Sequence, residues 1–142
     1  MKNLTIVFSA FFAFTALAAA PALAQTTNAV RVNVPFKFVV ANQTLPEGQY
    51  LFSSTKDNVF IQDSHGRTLA MLLTDAVTGR TVTKAGQIVF QCYEQRCFLS
   101  EVWNPTEYAG RQLPKSRREK ELARKEDGEF FALIGLPDNN RR

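Results

Sequence analysis

The run QIVFQCYEQRCFLSEVW at residues 87–103 constrains the fold most: two apolar, β-prone segments meet at a short interval between the only two cysteines of the chain. Val, Ile, Phe, Tyr and Trp at this density, interrupted by Glu94 and Gln95, read as a hairpin. With Glu94-Gln95 as the turn, Cys92 pairs with Cys97, Phe90 with Leu99 and Ile88 with Glu101. The cysteines then occupy a non-hydrogen-bonded position, where the strands come close enough for a disulfide. A two-residue hairpin turn normally uses Asn-Gly or Asp-Gly because it needs positive φ, and Glu-Gln meets that need poorly. A structural disulfide that holds this turn is therefore the expected role of Cys92 and Cys97. Zinc would need further ligands, and His65 is the only histidine. A redox pair would show Cys-x-x-Cys before a helix.

The hairpin is apolar on both sides. In that register Ile88, Phe90, Leu99 and Trp103 face one way, and Val89, Tyr93, Phe98 and Val102 the other. A sheet covered on one side only would not show this pattern. The second face is expected to be covered by Phe130, Phe131 and Leu133 of the C-terminal tail or by a partner.

Export supports the disulfide. Residues 1–24 carry Lys2, an apolar run over 4–20, Pro21 and a small-residue Ala-Leu-Ala end, the pattern of a cleaved secretory signal. The run is short for a bilayer span. No cysteine follows it, which argues against a lipid anchor, and no later stretch is long and apolar enough to span a membrane. An exported protein of the periplasm or extracellular space is expected, where disulfides persist.

The remaining chain is of single-domain size, large enough to bury most of its apolar surface. Residues 30–40, VRVNVPFKFVV, alternate apolar and polar with period two, a half-buried strand in which Pro35 favours an edge or a bulge. The LPEG stretch at 45–48 offers turn chemistry. Short strands are expected at 49–53, 59–62, 68–73 and 81–83, separated by turn-rich segments. The fold expectation is all-β: an antiparallel barrel-like or sandwich domain of about seven to eight strands over residues 25–113, with a short C-terminal helix. Residues 114–142 read as that exposed basic helix followed by an apolar tail. Ser116 caps the helix, Glu119 completes a capping box, and Gly128 ends it. Between residues 117 and 127 only Leu122 and Ala123 are apolar, so no core-facing stripe is evident.

The segments VNVPFKFVVANQTLPEGQY and FLSEVWNPTEYAGRQLPKSRREKELA resemble a family of small exported bacterial proteins of unassigned function. The resemblance implies a signal peptide, a compact β domain and no catalytic residues. Family hairpins carry a glycine-containing turn without cysteines, so the Cys92–Cys97 pair and the apolar tail depart from the pattern.

Nothing in the chain spells a catalytic, cofactor or metal motif: there is no Gly-x-Gly-x-x-Gly, P-loop or calcium loop. A nucleophilic hydrolase would rest on His65, which sits in the turn-like DSHGR. Net positive charge is concentrated after residue 110, where nine Lys or Arg face six Asp or Glu, against seven of each over 25–110. Arg111, Lys115, Arg117, Arg118 and Lys120 are the candidate partner-binding residues. Glu119, Glu121 and Glu126 interleave with them, and Glu121 with Lys125 forms an i,i+4 pair. An exported chain does not meet nucleic acid, so an anionic envelope component or another exported protein is the expected partner. The leading functional expectation is a non-enzymatic binding or interaction module. Its alternatives are a small β-barrel carrier holding an apolar ligand near Tyr50, Phe52 and Trp103, and a hydrolase using acidic residues.

Overall fold

The computed structural model describes residues 29–79, 85–105 and 107–138; the expected strand at 81–83 and the expected signal lie outside them. The chain is mostly β, a curled half-barrel sheet with one short helix near its C-terminal end. In order, the elements are β1 (Ala29–Val34), β2 (Phe38–Val40), β3 (Gln43–Leu45), β4 (Gly48–Ser54), β5 (Asn58–Gln62), β6 (Thr68–Leu73), β7 (Asp75–Val77), β8 (Gly86–Tyr93), β9 (Arg96–Trp103), β10 (Gly110–Gln112), α1 (Arg117–Ala123) and β11 (Glu129–Pro137). The main path through the sheet runs β3-β2-β9-β8-β11-β1-β4-β5-β6, and β10 joins β7 to β9. The eleven strands among the described residues exceed the expected number because four of them are three residues long, too short to leave a periodic trace in sequence.

The alternating run over 30–40 is two strands, not one. Pro35 lacks an amide proton, the ladder ends at Val34, and after a bend the chain re-enters on the opposite limb as β2. There β2 pairs in parallel with β9, Phe38 opposite Cys97 and Val39 opposite Phe98. Val30, Val32 and Val34 stay with β4, and Phe38 and Val40 reach the same core from the other side. Phe38 lies edge-on to Tyr50 at 5.2 Å and near-perpendicular to Phe90 at 5.3 Å, which ties the limbs together. At the rims, the Gln43 side chain of β3 donates to the Leu69 carbonyl of β6 at 3.0 Å.

The hairpin forms with the anticipated turn. Tyr93 pairs with Arg96, Cys92 with Cys97 and Phe90 with Leu99, and the two sulfur atoms lie 2.04 Å apart. Beyond Leu99 the expected register fails. A bulge at Ser100 shifts the pairing, so Val89 opposes Glu101 and Ile88 opposes Val102 instead of Glu101. One extra residue turns the rest of a strand over. Val102 therefore joins Ile88, Phe90 and Leu99 in the core, and Trp103 moves to the second face.

The tail does not lie over the second face as expected. It enters the sheet as β11 between β8 and β1, with Phe131 opposite Phe90, Leu133 opposite Ile88 and Gly135 opposite Gly86. Phe130, Ile134 and Leu136 point outward and are 63%, 74% and 74% exposed. A Cβ on Gly86 or on Gly135 would come within 2.2 Å of a Val30 methyl, so this glycine pair lets β1 cross close against β8 and β11. Gly135→Ala is expected to cost about 2 kcal/mol by overpacking, measured by urea unfolding; an unchanged midpoint would contradict the close approach.

Glu94 takes up φ 47°, a left-handed conformation that disfavours a side chain. The disulfide closes the loop around it. The double Cys92→Ala, Cys97→Ala variant is expected to lose about 2 kcal/mol, and Glu94→Gly in that background to regain about 1 kcal/mol. Identical melting of parent and cysteine-free chains would show that the clip does not hold the turn.

Candidate functional site

The helix stands largely exposed, as expected, but Glu119 turns inward and the flanking Lys115 and Gly128 pack on Tyr93 of the hairpin's second face. Ser116 caps α1 as anticipated, its hydroxyl accepting from the Glu119 amide at 3.2 Å. The helix then ends at Ala123 with Arg124 as its C-cap, five residues short of the expected glycine stretch. Gly128 instead packs on the hairpin, where a Cβ would lie 2.7 Å from the Tyr93 ring and 3.0 Å from the Gln91 amide nitrogen. The early stop leaves Lys125 outside the helix, so the expected Glu121–Lys125 pair is not helical. The ion pair on α1 is Arg117 with Glu121, at 3.8 Å and well exposed.

Glu119 is the unexpected residue. It is 5% exposed, a carboxyl turned inward on a helix with no apolar stripe. Lys115 Nζ donates to the Tyr93 hydroxyl at 3.3 Å, and both groups lie near enough to Glu119 to oppose the effect of its burial. Tyr93, itself buried, packs edge-on to Phe98 with ring centroids 5.9 Å apart. The Lys115–Tyr93 bond and the buried Glu119 thus tie the start of the basic helix to the hairpin. The cost of burying the carboxyl is offset in part by the Lys115 cation and the Tyr93 hydroxyl nearby.

Burial pushes the Glu119 carboxyl above its usual range, against the opposing pull of Lys115, the Tyr93 hydroxyl and the Ser116 contact. A raised folded-state value favours the protonated form in the fold. The stabilisation is fully present below the unfolded value of about 4.3 and is lost as pH rises through the folded one. The unfolding free energy of the parent relative to Glu119→Gln is therefore expected to decline as pH rises above about 4 and to level off once the folded carboxyl has ionised. A difference that stays flat with pH would show that the carboxyl is not desolvated.

The five basic residues singled out in sequence do not form one patch. Arg111 lies in β10 opposite Val102 and Ala76, half-buried. Lys115 and Arg117 border an open apolar recess of about 750 Å³ between residues 113–117 and β6, where Met71 and Leu73 are exposed. Lys120 is exposed on α1. Arg118 reaches a different cleft, of about 170 Å³, together with Lys37 and Arg96. Neither of these two had been grouped with it. The parallel register of β2 on β9 that brings Lys37 beside Arg96 leaves no local sign in the sequence.

A third cleft, of about 230 Å³, contains two carboxylates, Asp63 and Asp138, and Arg31. Asp138 is paired with Arg31 at 3.2 Å. Backbone N–H groups of Arg67 and His65 and the Arg67 guanidinium hold the Asp63 carboxyl below its usual range. Glycoside hydrolysis needs one carboxyl kept protonated, and the lowered Asp63 does not supply it. His65 sits exposed in that same turn. Among the described residues no group of three or more His, Cys, Asp or Glu is arranged to hold a metal ion, and no helix is long and apolar enough to cross a membrane.

Compared with protein-family models, with curated proteins and with solved structures, the chain matches none.

Proposed function

We propose that this chain is a non-enzymatic interaction module that is exported, loses residues 1–24, and attaches to an anionic component of the cell envelope or extracellular space. The resemblance to small exported β proteins supports the location, and the disulfide-distance pair Cys92–Cys97 suits an oxidising compartment. The observation that carries the reading is the unbalanced charge of the docked helix. Arg118 and Lys120 have no acidic partner among the described residues, and Arg117, whose side chain is 96% exposed, has only a distant one. A folded domain that ties the start of such a helix to its hairpin through Lys115 and Tyr93 holds Arg117, Arg118 and Lys120 out to solvent.

Attachment of this kind weakens as salt rises. Binding to phosphatidylcholine vesicles containing phosphatidylglycerol is expected to fall steeply between low and physiological ionic strength, to be absent on pure phosphatidylcholine, and to drop further in an Arg117→Gln, Lys120→Gln variant. Equal binding to both vesicle types at all salt concentrations would contradict it.

One observation favours a second reading, a carrier of an apolar ligand. The recess beside Met71, Leu73 and Leu113 is large enough for one, although it lies along the β6 rim and not inside the barrel. The interior itself is filled by Phe38, Tyr50, Phe52 and Phe90. Salt-insensitive retention of a small apolar molecule through purification would move the assignment to this recess.

A further inference from the structure

We propose that Lys37, Arg96 and Arg118 form a binding site for a phosphate group. They line one cleft with the polar side chains of Thr44 and Gln95, beside Cys97, and no carboxylate lines it. None of the three cations has an acidic partner among the described residues. Three like charges held around one cleft repel one another, a cost that a multiply charged anion removes.

Each cation is positioned by a separate device. Lys37 directly precedes β2, whose parallel register on β9 sets Phe38 opposite Cys97 and so aligns Lys37 with Arg96. Arg96 directly follows the Glu94-Gln95 turn, which the disulfide closes. Arg118 stands next to the buried Glu119 on a helix whose entry is tied to the hairpin by the Lys115–Tyr93 hydrogen bond. The three residues lie far apart in sequence and converge through the fold, which distinguishes the cleft from a run of surface charge. Two guanidinium groups can each give paired N–H donors to a tetrahedral oxyanion, Lys37 adds a point charge, and Thr44 and Gln95 offer neutral donors. A single carboxylate would use one guanidinium and leave the other charges unmatched. A phosphate group is the better fit.

The inference rests on the reading of this face as one that meets anions, and it adds a discrete site whose geometry matters as well as its charge. The test titrates the oxidised chain with inorganic phosphate by calorimetry, and in parallel with phosphatidylcholine vesicles containing phosphatidic acid. Saturable binding of one phosphate per chain is expected, weakened about tenfold by Lys37→Gln or Arg96→Gln and less than about twofold by Lys56→Gln, which removes the same charge on the β4–β5 turn. The Cys92→Ser, Cys97→Ser variant keeps every charge and is expected to weaken binding about tenfold by releasing the turn. If that variant unfolds, the Lys37 and Arg96 variants decide alone. Binding to the phosphatidic acid vesicles alone, with the same ranking of variants, assigns the phosphate to a lipid headgroup instead of free phosphate. Equal losses in Lys37→Gln, Arg96→Gln and Lys56→Gln, or no binding to either probe, overturn the site. Phosphate binding without salt-dependent attachment to phosphatidylglycerol vesicles would sink the broader surface reading and leave the cleft standing.

Discussion

The pairing of β8 with β9 is the constraint on which the remaining structure depends. Its core face contributes Ile88, Phe90, Leu99 and Val102, its other face receives the segment that carries α1, and its two edges bind β11 and β2. A slip of one residue would exchange the faces and leave both coverings without their partners. The register is pinned at one end by the Cys92–Cys97 bond and in the middle by the Ser100 bulge, which returns Val102 to the core. The disulfide is thus more than a local clip: it fixes the reference from which the basic cleft is measured.

The second organising contact is the seam between β1 and β11. Backbone pairing there is short, Val30 with Pro137 and Arg31 with Leu136. Side-chain packing supplements it, because Val30 lies over the bare backbone of Gly86 and Gly135. The C-terminal strand thereby fills what would otherwise be two unpaired strand edges, a hazard for aggregation. The outward residues Phe130, Ile134 and Leu136 follow from that placement, since a strand paired on both sides still shows one face to solvent.

Local physics was legible in the sequence wherever it decided the outcome. Turn-rich separators located β4, β5 and β6 closely, period-two alternation found β1 but ran it on into β2, the all-β barrel-like class followed from these, and Ser116 was readable as a cap from its spacing to Glu119. The hairpin register was readable as far as Leu99, and the bulge was not, because Ser100 carries no distinctive turn chemistry. What was hidden shares one cause: it rests on pairing between distant segments. The parallel contact of β2 with β9, the insertion of β11 and the inward turn of Glu119 are tertiary choices without a local signature. Of the five basic residues, Arg118 reached a shared cleft, and its companions Lys37 and Arg96 came from segments that read as ordinary strand and turn.

The proposed anion-binding role rests on one cleft lined by Lys37, Arg96 and Arg118. The central claim is that the hairpin, β2 and α1 together make one site. It is tested most directly by backbone and side-chain NMR of the oxidised chain during titration with inorganic phosphate. The account predicts saturating shifts centred on Lys37, Arg96 and Arg118, with the β4–β5 turn unmoved. Small, non-saturating shifts spread over all exposed Lys and Arg would contradict it.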